Sequence, residues 1–169
     1  MRLILKLILK TGCMLMKQQK VFLLAGVPGS GKSTWVRQQI DIYGGAWCSR
    51  DAVRFSMVKE DEPYFSQEDR VFQSWIAQIQ NAINRGEDVY IDATHINANS
   101  RRKVLKRLKL NGAELIGVNV MIPLNESIRR NNLREGREKV PESVITKMYY
   151  DFSPITMTEG FDAITNILV

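Results

Sequence analysis

The segment Gly26-Val27-Pro28-Gly29-Ser30-Gly31-Lys32-Ser33 sets three glycines, a lysine and a hydroxyl in the spacing of a phosphate cradle. Glycines at 26, 29 and 31 permit positive φ and close backbone approach, so successive N–H groups can converge on phosphate oxygens. A helix starting just after the loop would add its positive N-terminal end. Lys32 would reach the β and γ phosphates of ATP, and the Ser33 hydroxyl would ligate Mg²⁺. This loop describes only the phosphoryl donor. It does not separate a kinase from a hydrolase or a nucleotide-driven machine.

Other residues speak to the acceptor. Asp51 follows a short strand-like run, and Arg54 stands three residues later, on the same face if a helix begins there. A carboxylate near the γ-phosphate can accept a hydroxyl proton, an effect worth about 10²–10⁴ in rate. Asp51 could also serve as a helix N-cap. Asp92 closes an apolar strand, the position from which an acid holds the Mg²⁺ shell. Arg130 and Arg134 lie four apart in an arginine-rich segment, where shared helical faces would let two guanidinium forks close over a triphosphate. A solvated basic helix paired with Glu126, Glu135 and Glu138 is the plainer reading of that segment. His95, the only histidine, reads as a solvated or hydrogen-bonded loop residue, since phosphoryl transfer of this kind needs no imidazole.

The elements that must position these groups are legible from periodicity. Val21-Phe22-Leu23-Leu24-Ala25 is an apolar run suited to a strand buried on both faces. A helix is expected from Lys32 to about Ile42, a strand at 46–49, and a helix carrying Val71, Trp75, Ile79 and Ile83 as an inward stripe. A strand follows at 88–92, then a helix over 98–111 and a strand over 115–122. A helix starts near Leu124, and another begins at Pro141 with Val144, Ile145, Met148, Tyr149 and Phe152 inward. Residues 163–169 complete a fifth strand. Strands alternating with helices give an α/β P-loop fold, a parallel five-stranded sheet flanked by helices, with a helical arginine-rich lid. In such a sheet chemistry gathers beyond the carboxyl ends of the strands, where the loop, Asp51 and Asp92 all fall.

Composition limits the alternatives. The 169 residues are 44% hydrophobic and 25% charged, ordinary for one globular domain. The net charge of +6 is concentrated at the start: residues 1–20 hold five bases and no acid, leaving 19 bases against 18 acids. Overall charge therefore argues for no polyanionic partner, and only local clusters can. Arg101-Arg102-Lys103 with Lys106, Arg107 and Lys109 is the strongest of them. It fits a nucleic-acid backbone and equally the wet side of a helix whose Val104, Leu105 and Leu108 are buried. Lys6 and Lys10 interrupt the apolar opening run well short of a membrane span. Residues 1–20 are read as an extension to a domain over 21–169, with a functional start near Met16 and no stable membrane association. Cys13 and Cys48 suggest neither zinc nor a disulfide, and Cys48 is expected as a small buried strand residue in a reducing cytoplasm.

Taken together, Gly26 to Thr34, Ser49-Arg50-Asp51-Ala52-Val53-Arg54, Asp92-Ala93-Thr94 and the arginine segment resemble the 5′-hydroxyl kinase domain of bacteriophage-type polynucleotide kinases, within the AAA-like P-loop kinases. The resemblance covers nearly everything after Val21. It implies nucleotide contacts from Gly26, Pro28, Gly29, Ser30, Gly31, Lys32, Ser33 and Thr34, and activation of a 5′-hydroxyl by Asp51. It further implies acceptor contacts from Arg54 and Thr94, a metal site at Ser33 and Asp92, and lid arginines at Arg130 and Arg134. The implied reaction moves the γ-phosphate of ATP to a 5′-OH end of RNA or DNA. A small-molecule kinase for a sugar, antibiotic or nucleotide-sugar, and a nucleotide-binding regulatory ATPase, remain open alternatives.

Overall fold

The first strand, β1 (Lys20–Ala25), turns Val21, Leu23 and Ala25 to one face of a sheet and Phe22 and Leu24 to the other. This two-sided burial is why its sequence is continuously apolar rather than alternating. The computed structural model describes residues 18–169. Most of the expected extension, with Cys13 and Met16, lies outside the described residues. Gln19 already belongs to the folded body, its amide donating to the carbonyls of Ile83 and Glu87 at 3.1 and 2.6 Å.

From β1 the chain runs through the phosphate loop into α1 (Lys32–Tyr43), β2 (Ala46–Ser49), α2 (Arg50–Met57), α3 (Glu68–Asn84) and β3 (Val89–Asp92). It continues with α4 (Ala98–Leu105), β4 (Glu114–Met121), α5 (Leu124–Asn132), α6 (Glu142–Tyr150) and β5 (Ala163–Leu168). The strands pair in parallel in the order β2-β3-β1-β4-β5. The sheet order places β1 and its loop at the centre, with β3 and β4 on either side.

Two apolar layers hold helices to the sheet. On one face Phe72, Trp75, Ile79 and Ile83 of α3 and Val104 of α4 pack on Val21, Leu23, Val89 and Ile91. Trp75 is fully buried and its indole N–H donates to the Cys48 carbonyl at 2.9 Å, so the largest core side chain leaves no polar group stranded. On the other face Val36 of α1 packs with Leu24, Tyr90, Ile116, Val118 and Val120. Gly117 in β4 lets Ile155 and Phe161 reach the sheet: a Cβ there would stand 2.7 Å from Ile155 Cγ2. Asn119, buried in the same strand, ties this segment down by accepting from Ile155 N–H at 2.7 Å and donating to the Ile155 carbonyl at 3.3 Å. Cys48 is buried as expected, and burial pushes its thiol up to about 12, which leaves it unreactive.

Several local expectations are corrected. Helix α4 stops at Leu105 rather than 111, with Arg107 and Leu108 in turns that bond back to Val104 and Leu105. Its basic run is not one wet face, because Arg101 is 1% exposed and held by Glu159 and by the carbonyls of His95 and Ser153. In α6 Val144 faces outward, while Ile145 supplies the buried contact. Of the two readings of His95, the hydrogen-bonded loop residue holds and the solvated one does not. The residue is buried, stacks on Trp75 with ring centroids 5.8 Å apart, and sits 2.7 Å from the Leu24 carbonyl through Nδ1.

Candidate active site

The loop between β1 and α1 is shaped by contacts that only small residues allow. Gly29 has φ 78, and a Cβ on it would lie 2.7 Å from the Ser127 carbonyl of α5. Ser127, fully buried, donates its hydroxyl to the Pro28 carbonyl at 2.7 Å, so α5 is fastened directly onto the loop. Gly26 N–H donates to the Thr94 carbonyl at 3.0 Å, fastening the loop to the segment after β3. Thr94 thus meets the loop through its backbone. Helix α1 begins at Lys32 behind Gly31, which lends no side-chain cap, and its first-turn N–H groups open toward the cradle.

Lys32 folds back into this cradle. Its ammonium donates to the carbonyls of Gly26 and Val27, both at 2.9 Å, and lies 3.4 Å from Ser30 Oγ. Burial lowers its pKa to about 8, opposed by the charge of Asp92, assisted by Arg134 and opposed again by Asp51. One buried cation therefore senses both acids and an arginine from three separate elements. A polyphosphate arriving here would replace the carbonyl contacts with charged partners.

Next to it, Ser33 donates its hydroxyl to Asp92 Oδ2 at 2.9 Å, and Trp47 donates its indole N–H to the same oxygen at 3.0 Å. A serine hydroxyl beside one carboxylate is a hard-oxygen pair that fits Mg²⁺, which keeps most of its shell for water and phosphate. Among the described residues no group of three or more acids, histidines or cysteines could cage a metal without such added ligands. Thr34, one residue further on, is exposed.

Asp51 stands in the first turn of α2. The cap is Ser49, which accepts from Ala52 N–H at 3.2 Å, so the Asp51 carboxylate is not spent on capping. Its side chain is 63% exposed and accepts from Arg54 Nη1 at 2.6 Å and from the Tyr64 hydroxyl at 3.1 Å. Arg54 itself is buried and also pairs with Glu68 at 2.7 Å. Glu68 pairs with Arg50 as well. Arg54 is thus engaged by two carboxylates, and an acceptor phosphate would have to share it with them.

The arginine segment departs from the expected geometry. Helix α5 ends at Asn132, so Arg134 lies beyond it and does not share a helical face with Arg130. Buried Asn131 shapes the chain that follows, bonding both the carbonyl and the N–H of Val140 at 2.7 and 3.0 Å. Arg130 Nη1 borders Gly31, while Arg134 is felt at Lys32 only as a charge that lowers its pKa. Glu126 steers Arg130 by accepting from its Nε at 2.7 Å and is held down to about 2 by its hydrogen bonds from Arg129 and Arg130.

The spacing of residues revealed the loop, Asp51, Asp92 and the arginines. It missed Trp47, Tyr64, Glu68 and Ser127, each of which acts through a side-chain contact with a residue already singled out. For these four no sequence signal exists, whereas Glu126, expected as a partner of the basic helix, pairs with Arg129 and Arg130. Among the described residues no helix is long and apolar enough to cross a membrane.

Comparison with known proteins places this geometry. A structure of the Pnkp1/Rnl/Hen1 RNA repair complex superposes with TM-score 0.69 and 24% identity, over 86% of this chain and 50% of that one. A sugar kinase from Janibacter sp. HTCC2649 gives TM-score 0.61 and 18% identity, over 88% of this chain and 85% of that one. A fungal RNA kinase gives 0.56 and 14%, over 88% and 38%. At these identities the likeness is one of fold, and this chain spans half the length of the RNA repair chain it matches. Residues 21–155 match the AAA domain family profile, from β1 to the buried Ile155. With a phosphate loop at the centre of a parallel sheet and a match across most of its length, the chain belongs to the AAA domain family and has the P-loop kinase fold.

Proposed function

We propose that the domain over residues 21–169 is a polynucleotide 5′-hydroxyl kinase, transferring the γ-phosphate of ATP to a 5′-OH end of RNA or DNA in a cytoplasmic setting. The observation that carries the reading is Asp51: an exposed carboxylate, free of capping duty and oriented by Arg54 and Tyr64. Likeness of fold to an RNA repair chain and a fungal RNA kinase supports the choice of acceptor. The sugar kinase, matched over a larger share of its own length, supports a small-molecule acceptor as the second reading.

In the proposed reaction the acceptor oxygen forms a bond to the γ-phosphorus as the bond from that phosphorus to the β–γ bridging oxygen breaks, releasing ADP. Asp51 takes the hydroxyl proton. Lys32 and the first-turn N–H groups of α1 hold the phosphates, while Arg130 and Arg134 meet the charge spread over the moving group. Ser33 and Asp92 would hold a magnesium ion that arrives with the nucleotide and offsets phosphate charge. Arg54 aims the Asp51 carboxylate through its 2.6 Å bond.

The test is one assay with labelled ATP and three acceptor sets: 5′-OH RNA, 5′-OH DNA and small alcohols including sugars. Label is expected on an oligonucleotide 5′ end, lost in Asp51→Asn and Lys32→Ala, with nucleotide binding kept in Asp51→Asn. Label only on small alcohols would establish the second reading instead. ATP bound or hydrolysed with no acceptor labelled would point to a regulatory ATPase.

A further inference from the structure

Beside Asp51 lies a group of aromatic rings of which the phosphoryl transfer uses only the Tyr64 hydroxyl. Tyr64 and Phe65 meet edge to face with centroids 4.8 Å apart, and Phe55 packs on Tyr64 at 6.2 Å. Arg54 lies 4.6 Å from the Tyr64 centroid and 5.4 Å from that of Phe65, while Arg137 lies 5.3 Å from Phe55. The rings are thus backed by two guanidinium groups. Yet Phe65 is 68% exposed, a large apolar surface left in water between Pro63 and the start of α3.

We infer that Phe65, supported by Tyr64, is a stacking surface for the terminal base of the acceptor, and so helps determine which 5′-OH ends are used. The inference rests on the polynucleotide reading above. Tyr64 joins the two functions, because its hydroxyl is 3.1 Å from Asp51 Oδ1 and its ring touches Phe65. One ring therefore separates the proton acceptor from the exposed face, as one ribose separates a 5′-oxygen from its base. Stacking on an aromatic face tolerates any base, and nearby arginines strengthen it. Arg137, anchored by an Nη1 bond to the Val58 carbonyl at 2.8 Å, lies 5.9 Å from the Tyr64 centroid and backs the same rings with positive charge.

Two 5′-OH oligonucleotides that differ only in carrying a base or an abasic tetrahydrofuran at the terminal position test this. Wild type should use the base-bearing end roughly tenfold better in kcat/KM, mainly through KM. Phe65→Ala should erase that difference and Phe65→Trp should keep it, with circular dichroism confirming that both variants fold. Equal use of the two ends by wild type, or an undiminished preference in Phe65→Ala, overturns the stacking surface and leaves the kinase reading intact. No transfer to either end by wild type removes the kinase reading and the stacking surface together.

Discussion

Ser33 and Asp92 are joined by a 2.9 Å hydrogen bond from hydroxyl to carboxylate, and Trp47 holds the same carboxylate oxygen from the other side at 3.0 Å. The indole decides where the carboxylate points. Asp92→Asn and Ser33→Ala should each lower phosphoryl transfer by roughly 10²-fold. Trp47→Phe should weaken Mg²⁺ dependence by about tenfold, as loss of a partner behind a ligand does. Rate measured against Mg²⁺ concentration checks both, and a Ser33→Ala enzyme with unchanged Mg²⁺ dependence would remove the metal role.

Arg129 and Arg130 share Glu126, but only Arg130 borders the phosphate loop at Gly31. Arg130→Ala should reduce kcat by about 10³-fold if its guanidinium meets the moving phosphoryl group. Arg129→Ala, which loses one exposed ion pair, should stay within about fivefold of wild type. Equal losses in the two variants would show a general effect of basic charge instead.

Burial lowers His95 to about 4, with its Leu24 hydrogen bond opposing and the charges of Arg50, Lys32 and Arg101 assisting. The folded state therefore keeps the ring neutral, whereas the unfolded chain takes up a proton below about 6.5. Stability from this residue is fully present above pH 6.5 and is lost as pH falls toward 4, on the order of 3 kcal/mol in all. His95→Asn suits the positive φ of 44 and removes the titration. Denaturant melts at pH 7 and 4.5 should show a smaller acid loss in the variant, and parallel losses would clear His95 of the effect.

Arg101 is buried and forks onto Glu159 with two 2.7 Å bonds, joining α4 to the turn before β5. Arg101→Met leaves the part-exposed Glu159 carboxylate and the buried His95 carbonyl without their donor and should cost about 1–3 kcal/mol. Arg102→Ala, one residue along and exposed, should change stability by less than about 0.5 kcal/mol. Urea unfolding of the two variants separates a structural arginine from a solvated one, and similar midpoints would contradict the buried pairing.

Within the sequence, the phosphate loop and the alternation of strands and helices were determined by local chemistry. Glycines must stand where the backbone turns onto a phosphate, and a central parallel strand must be apolar on both faces, so neighbouring residues reveal both. The tertiary structure decided everything that depends on distant partners. Ser33 meets Asp92 across 59 positions, Trp47 meets Asp92 across 45, Arg101 meets Glu159 across 58, and Ser127 meets Pro28 across 99. The same basic run could read as a nucleic-acid track or as a wet helix face until burial claimed Arg101 for the core. Arg130 and Arg134 looked like neighbours on one helix, yet the chain leaves α5 at Asn132 and Asn131 shapes the turn that follows, so Arg134 lies off that face. Spacing along the chain carries information about neighbours; which distant side chains share a hydrogen bond is set by how the sheet and helices pack.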